Sequence, residues 1–121
     1  MTKRVLLSLL VLIATGCGSP LPTAADPQRA KVALQTSLDA WKVGASADSL
    51  QQQSPAIYFN DEIWQAQHKL TKFELGEGQA NGMGWRCEAA LTVTDTSGQT
   101  TERKISYQID TDPVIVIVQQ P

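Results

Sequence analysis

The chain has 121 residues, with 10 basic against 12 acidic side chains, a single histidine and two cysteines. With no basic cluster, it lacks the electrostatic footprint of a nucleic-acid binder. One histidine, two cysteines far apart and no C-x-x-C leave too few ligands for a zinc site.

Met1 to Cys17, MTKRVLLSLLVLIATGC, has the layout of a secretory signal. Lys3 and Arg4 supply the positive start, and Val5 to Ala14 is an apolar run broken by one serine. That run is half of the roughly 20 residues a spanning helix needs, so it is a signal core and not a transmembrane anchor. The segment closes on Ala14-Thr15-Gly16-Cys17. In these four residues the chain resembles bacterial lipoproteins, although Ala14 stands where that family favours leucine. The resemblance implies cleavage between Gly16 and Cys17, a diacylglycerol on the Cys17 thiol, and an acyl chain, palmitate for example, on the new amino terminus. Gly18 follows the cysteine without an acidic residue, which in lipoproteins of two-membrane bacteria goes with sorting to the outer membrane. The membrane is then a partner through the lipid. Removing residues 1–16 takes Lys3 and Arg4 away and leaves 8 basic against 12 acidic residues.

Residues 17–25 contain Gly18-Ser-Pro-Leu-Pro-Thr-Ala-Ala25 and nothing periodic, the composition of a short extended tether. Residues 26–121 are expected to form one domain. Asp26-Pro27 opens a helix, the aspartate as cap and the proline at the first helical position. Ala30, Leu34, Ser37, Leu38 and Trp41 recur at three and four residues and make one apolar stripe, and Gly44 is the expected stop. A second short helix is expected over about 47–53, anchored by Leu50.

Strands are expected next. Ala56 to Phe59 is a short one, Asn60-Asp61-Glu62 a turn, and His68 to Glu77 another strand with a bulge near Thr71-Lys72 to mend its broken alternation. Gly76, Gly78, Gly82 and Gly84 read as a mobile turn, because Asn81 stands where the third glycine of a G-x-G-x-x-G loop belongs. In Met83 to Thr94 the residues Met83, Trp85, Cys87, Ala89, Leu91 and Val93 share one face. Asp95 to Gly98 is a hairpin turn, and Thr101 to Asp110 turns Ile105, Tyr107 and Ile109 inward. After Asp112-Pro113, Val114 to Val118 is apolar on both faces, a pattern read as an edge offered to a second copy.

The order is one long helix, one short helix and four or five antiparallel strands, an α+β domain with the helix on a curved sheet. In this order of elements residues 26–118 resemble cystatin-like and NTF2-like domains. Leu38-Asp39-Ala40-Trp41, Gly44 and Leu50, with Asp61, Trp64, Leu70 and Phe73, are also similar to small exported bacterial lipoproteins. NTF2-like enzymes set a carboxylate beside a histidine or tyrosine in the cone between sheet and helices, which implies Tyr58, Asp61, Glu62, His68 and Glu74 as candidates. Against a catalytic reading, a lone histidine is a base only where a carboxylate orients it, and there is no G-x-S-x-G string. The Q-x-V-x-G hairpin of cystatin-type inhibitors is missing as well. Cys87 reads as a buried small hydrophobe, and Trp41, Trp64 and Trp85 read as core before pocket. The expectation is a membrane-anchored, non-enzymatic module without catalytic residues, metal or cofactor, which binds an envelope protein or component. The alternative is an NTF2-like small-molecule binder or enzyme with a pocket near His68.

Overall fold

The computed structural model describes residues 23–121. The signal, its cleavage at Gly16 and the lipidation of Cys17 lie outside them. The described residues form an α+β domain: helix α1 (Pro27–Lys42), a 3₁₀ helix (Ala47–Gln52), strand β1 (Ile57–Asn60), a one-turn helix α2 (Glu62–Gln65), then β2 (Lys69–Asn81), β3 (Gly84–Thr94), β4 (Thr100–Asp110) and β5 (Ile115–Gln119). No helix among these residues is long and apolar enough to cross a membrane.

The start of α1 follows from its cap. The Asp26 carboxylate accepts from the amides of Gln28 and Arg29, two of the donors that a first helical turn leaves unpaired. The end follows from Gly44, whose φ of +92° is a conformation that a side chain resists. Between them the buried face is Ala30, Ala33, Leu34, Ser37, Leu38 and Trp41. The polar member of the stripe is satisfied within the helix, since Ser37 Oγ donates to the Ala33 carbonyl at 2.7 Å. Each of Leu34, Leu38 and Trp41 is almost wholly buried, at a gain of about 1.5–3 kcal/mol per large side chain.

Five strands form one sheet in the order β1-β5-β4-β3-β2. The β2–β3, β3–β4 and β4–β5 pairs are antiparallel. The β1–β5 pair is parallel, with Ile57 opposite Ile115 and Phe59 opposite Ile117. The sheet is therefore mixed and not purely antiparallel. It also corrects the reading of the last strand as an edge. β5 lies between β1 and β4, so its apolar character serves a position with neighbours on both sides. The inner face carries Cys87, Ala89, Leu91 and Val93 from β3, Ile105, Tyr107 and Ile109 from β4, and Ile115 and Ile117 from β5, all in one core with α1.

The bulge expected near Thr71-Lys72 is present as a register shift between Leu70 and Lys72. A second shift, between Leu75 and Gly78, was not expected. It belongs to a further correction: Gly76 and Gly78 are not in a turn but inside β2, and Gly84 opens β3. Only Gly82 and Met83 form the connection, with Gly82 at φ +62°. Met83 is accordingly exposed and does not share the inner face of β3. Gly78 is there because nothing larger fits, for a Cβ would run into Nε1 of the Trp85 ring. At the β3–β4 hairpin Asp95 accepts from the Ser97 hydroxyl and from the amides of Ser97 and Gln99. These bonds, the hydroxyl's first, hold its carboxyl below the ordinary aspartate range.

Candidate functional site

Asn60-Asp61-Glu62 is not a solvated turn. Asn60 ends β1, Asp61 caps α2 and Glu62 is its first residue. The Asp61 side chain is 1% exposed. Its Oδ1 accepts from the amides of Ile63 (2.8 Å) and Trp64 (3.2 Å). Its Oδ2 accepts from the Tyr107 hydroxyl at 2.5 Å. A buried carboxylate is tolerated only when its lone pairs are taken up in this way. The effect is to fasten the short α2 to the middle of β4.

That fastening places Trp64. Its ring stacks on Trp41 with centroids 5.1 Å apart and planes 6° from parallel. Phe59 meets Trp64 edge-on at 5.2 Å and lies 5.4 Å from Tyr107. Both indole N–H groups are used: Trp41 donates to the His68 carbonyl at 2.9 Å and Trp64 to the Ala45 carbonyl at 3.1 Å. The two tryptophans thus tie the end of α1, the following loop and the start of β2 into one unit.

A cleft of about 890 Å³ opens at this end of the domain, between Val43–Asp48 and Gln67–Thr71, with Trp41 and Trp64 also lining it. His68 borders it, part-buried, and its Nδ1 is buried without a hydrogen-bond partner. The space between α1 and the sheet, where a cone pocket would lie, is filled by Leu34, Leu38, Leu91, Tyr107 and Ile109. The candidates named from the sequence are not brought together. Tyr58 and Glu74 are exposed on different strands, Glu62 is exposed with its amide held by the Gln119 side chain at 2.9 Å, and Asp61 faces the core. Trp41 and Trp64 do meet, whereas Trp85 lies apart, against Gly78. Among the described residues no group of three or more His, Cys, Asp or Glu is arranged to hold a metal ion.

Tyr107 is the residue that site reasoning missed. Its signal was available: a side chain with a polar tip on the inner face of an alternating strand requires a buried partner.

Cys87 is buried, and its thiol donates to the Gly76 carbonyl at 3.5 Å. Burial pushes this thiol up, the Lys31 ammonium works against the shift, and Glu88 adds to it. The Tyr107 phenol is raised far more, first by burial and then by the Asp61 charge and hydrogen bond. Both groups have folded values above their unfolded ones. Their contribution to stability is therefore whole below about pH 8.5 for the thiol and about pH 10 for the phenol, and is lost as pH rises beyond. The urea midpoint is expected to stay level from pH 7 to 8 and to fall in two stages above. Cys87→Ala should remove the first stage and Tyr107→Phe the second; a level midpoint to pH 11 would contradict both assignments.

No described family matches the chain, and no curated protein or solved structure is recognisably similar to it.

Proposed function

We propose that the protein is a small exported lipoprotein, held to a bacterial membrane through Cys17, whose α+β domain serves as a non-enzymatic module that binds a protein or other component of the cell envelope. The observation that carries this reading is the segment MTKRVLLSLLVLIATGC, with its charged start, short apolar core and small residues before a cysteine. Two or three acyl chains, at about 0.8 kcal/mol per buried methylene, give lasting attachment where a single chain would not. The outer membrane, on its periplasmic or surface side, is the location that Gly18 favours. The helix laid across a largely antiparallel sheet supports a domain of cystatin-like or NTF2-like kind.

The cleft beside His68 favours a second reading, a small-molecule binder, in which Trp41 and Trp64 supply apolar wall. Its place outside the filled core distinguishes it from an NTF2-like cone pocket.

Protein made in its own host should carry a Cys17 heavier by a diacylglycerol and at its new amino terminus. Cys17→Ser should leave the signal uncut or release the protein from membranes. An unmodified Cys17 sulfhydryl in the mass spectrum, or a variant with unchanged mass and membrane partition, would overturn the reading. Crosslinking in intact cells, followed by purification of the acylated form, would then identify the neighbour.

A further inference from the structure

The described chain begins fastened to one end of the domain. The Thr23 amide donates to Asp112 Oδ2 at 3.4 Å, the Ala25 amide to the Met83 carbonyl at 2.7 Å, and the Asp26 amide to Thr111 Oγ1 at 3.0 Å. These partners belong to two connections, β2–β3 and β4–β5. The sheet puts them side by side, because the start of β3 pairs with the end of β4, Trp85 opposite Ile109. Met83 and Val114, at these two tips, are 53% and 48% exposed. Soluble turns normally present polar residues, so two large apolar side chains at neighbouring tips are a feature to account for.

We infer that this end of the domain, with Met83 and Val114 foremost, rests on the surface of the bilayer to which Cys17 is attached. The inference depends on the lipid anchor proposed above and adds an orientation to it. Six residue-to-residue steps lead from Cys17 to Thr23, a span of at most about 20 Å even when extended. Helix α1 alone is about 24 Å long. The leash is thus shorter than the body it holds, and it is rooted at the end that carries Met83 and Val114. Exposed Val43, at the opposite end of α1, lies about one helix length further out. So does the cleft beside His68, which in this orientation opens away from the membrane.

The chemistry fits a zwitterionic surface. Asp26, Asp110 and Asp112 lie at the same end with Arg29 and Arg86, all exposed, so charge gives this end no net pull toward anionic headgroups. What remains is shallow apolar contact by two side chains. That is too little to recruit a free protein and enough to orient a tethered one.

The test uses the full-length acylated protein in phosphatidylcholine vesicles that contain a photoactivatable lipid. Flotation with the vesicles first establishes anchoring, and lipid adducts are then mapped by mass spectrometry. Adducts are expected at residues 82–83 and 111–114 and not at 43–48. In the Met83→Asp, Val114→Asp double variant, adducts at those turns should fall about tenfold while flotation is unchanged. Both side chains are exposed, and circular dichroism checks that the fold is retained. Adducts spread evenly over both ends, or an undiminished yield in the variant, would overturn the orientation while leaving the anchor intact. Protein that carries no lipid and stays behind in flotation would overturn both.

Discussion

Asp61→Ala is expected to lower the free energy of unfolding by about 3 kcal/mol, the sum of a lost helix cap and an abandoned buried hydroxyl. The cap bonds to Ile63 and Trp64 disappear, and Tyr107 is left without its acceptor in a fully buried position. Asp61→Asn should cost less, because an amide oxygen still caps the helix. Tyr107→Phe should cost about 1–2 kcal/mol, since the carboxylate keeps its two backbone donors. The double variant, Asp61→Ala with Tyr107→Phe, should cost less than the two single effects added together, because once the carboxylate is gone the phenol has no partner to lose. Urea unfolding followed by tryptophan fluorescence measures all four. A loss below about 0.5 kcal/mol in Asp61→Ala would mean that the bond from Tyr107 does not fasten α2.

Trp41→Ala should be at least as damaging, at about 3–5 kcal/mol. The side chain is 3% exposed, stacks on Trp64, and supplies the indole donor to the His68 carbonyl. Its removal takes away part of the cleft wall and frees the start of β2 from the end of α1. Trp41→Phe is milder: one aromatic ring remains while the second ring and the hydrogen bond go, and the cost should fall to about 2 kcal/mol. Against a typical domain stability of roughly 5–15 kcal/mol, the alanine variant is expected to lose much of its margin and to melt well below the parent. A thermal melt by circular dichroism that shifted by less than a few degrees would show that Trp41 is not part of the packed centre.

The periodicity of α1 was plain in the sequence because its partner surface is a single sheet face, which asks for a stripe three or four residues apart. The alternation of β3 and β4 was plain for the same reason, with one face inward and one in water. The first bulge in β2 was legible because Leu70 and Phe73 cannot share a face without it. What stayed hidden depends on partners distant in the chain. Three apolar residues and an asparagine in β1 do not declare whether they pair with a neighbour or, in parallel, with a strand almost sixty residues on. Gly76 and Gly78 gave the composition of a turn, yet Gly78 is small because the Trp85 ring lies across it. Asp61 sits between Asn60 and Glu62 and looked like one more polar turn residue, while the hydroxyl that draws it into the core is 46 positions away. For the site, the sequence named His68, and read Trp41, Trp64 and Trp85 as core before pocket; His68, Trp41 and Trp64 border one cleft and Trp85 does not. It could not say that the cleft would lie outside the filled core.

The two register shifts in β2 have a consequence for crowding. β2 closes one side of the sheet and pairs only with β3, so its free rim is where another molecule would add itself strand to strand. The longest stretches of that rim without an offset are Lys72–Leu75 and Gly78–Asn81, four residues each. Fibrils are nucleated by about six or seven residues in step. Where many such molecules are gathered at high density, this rim is a poor template for one to zip onto the next.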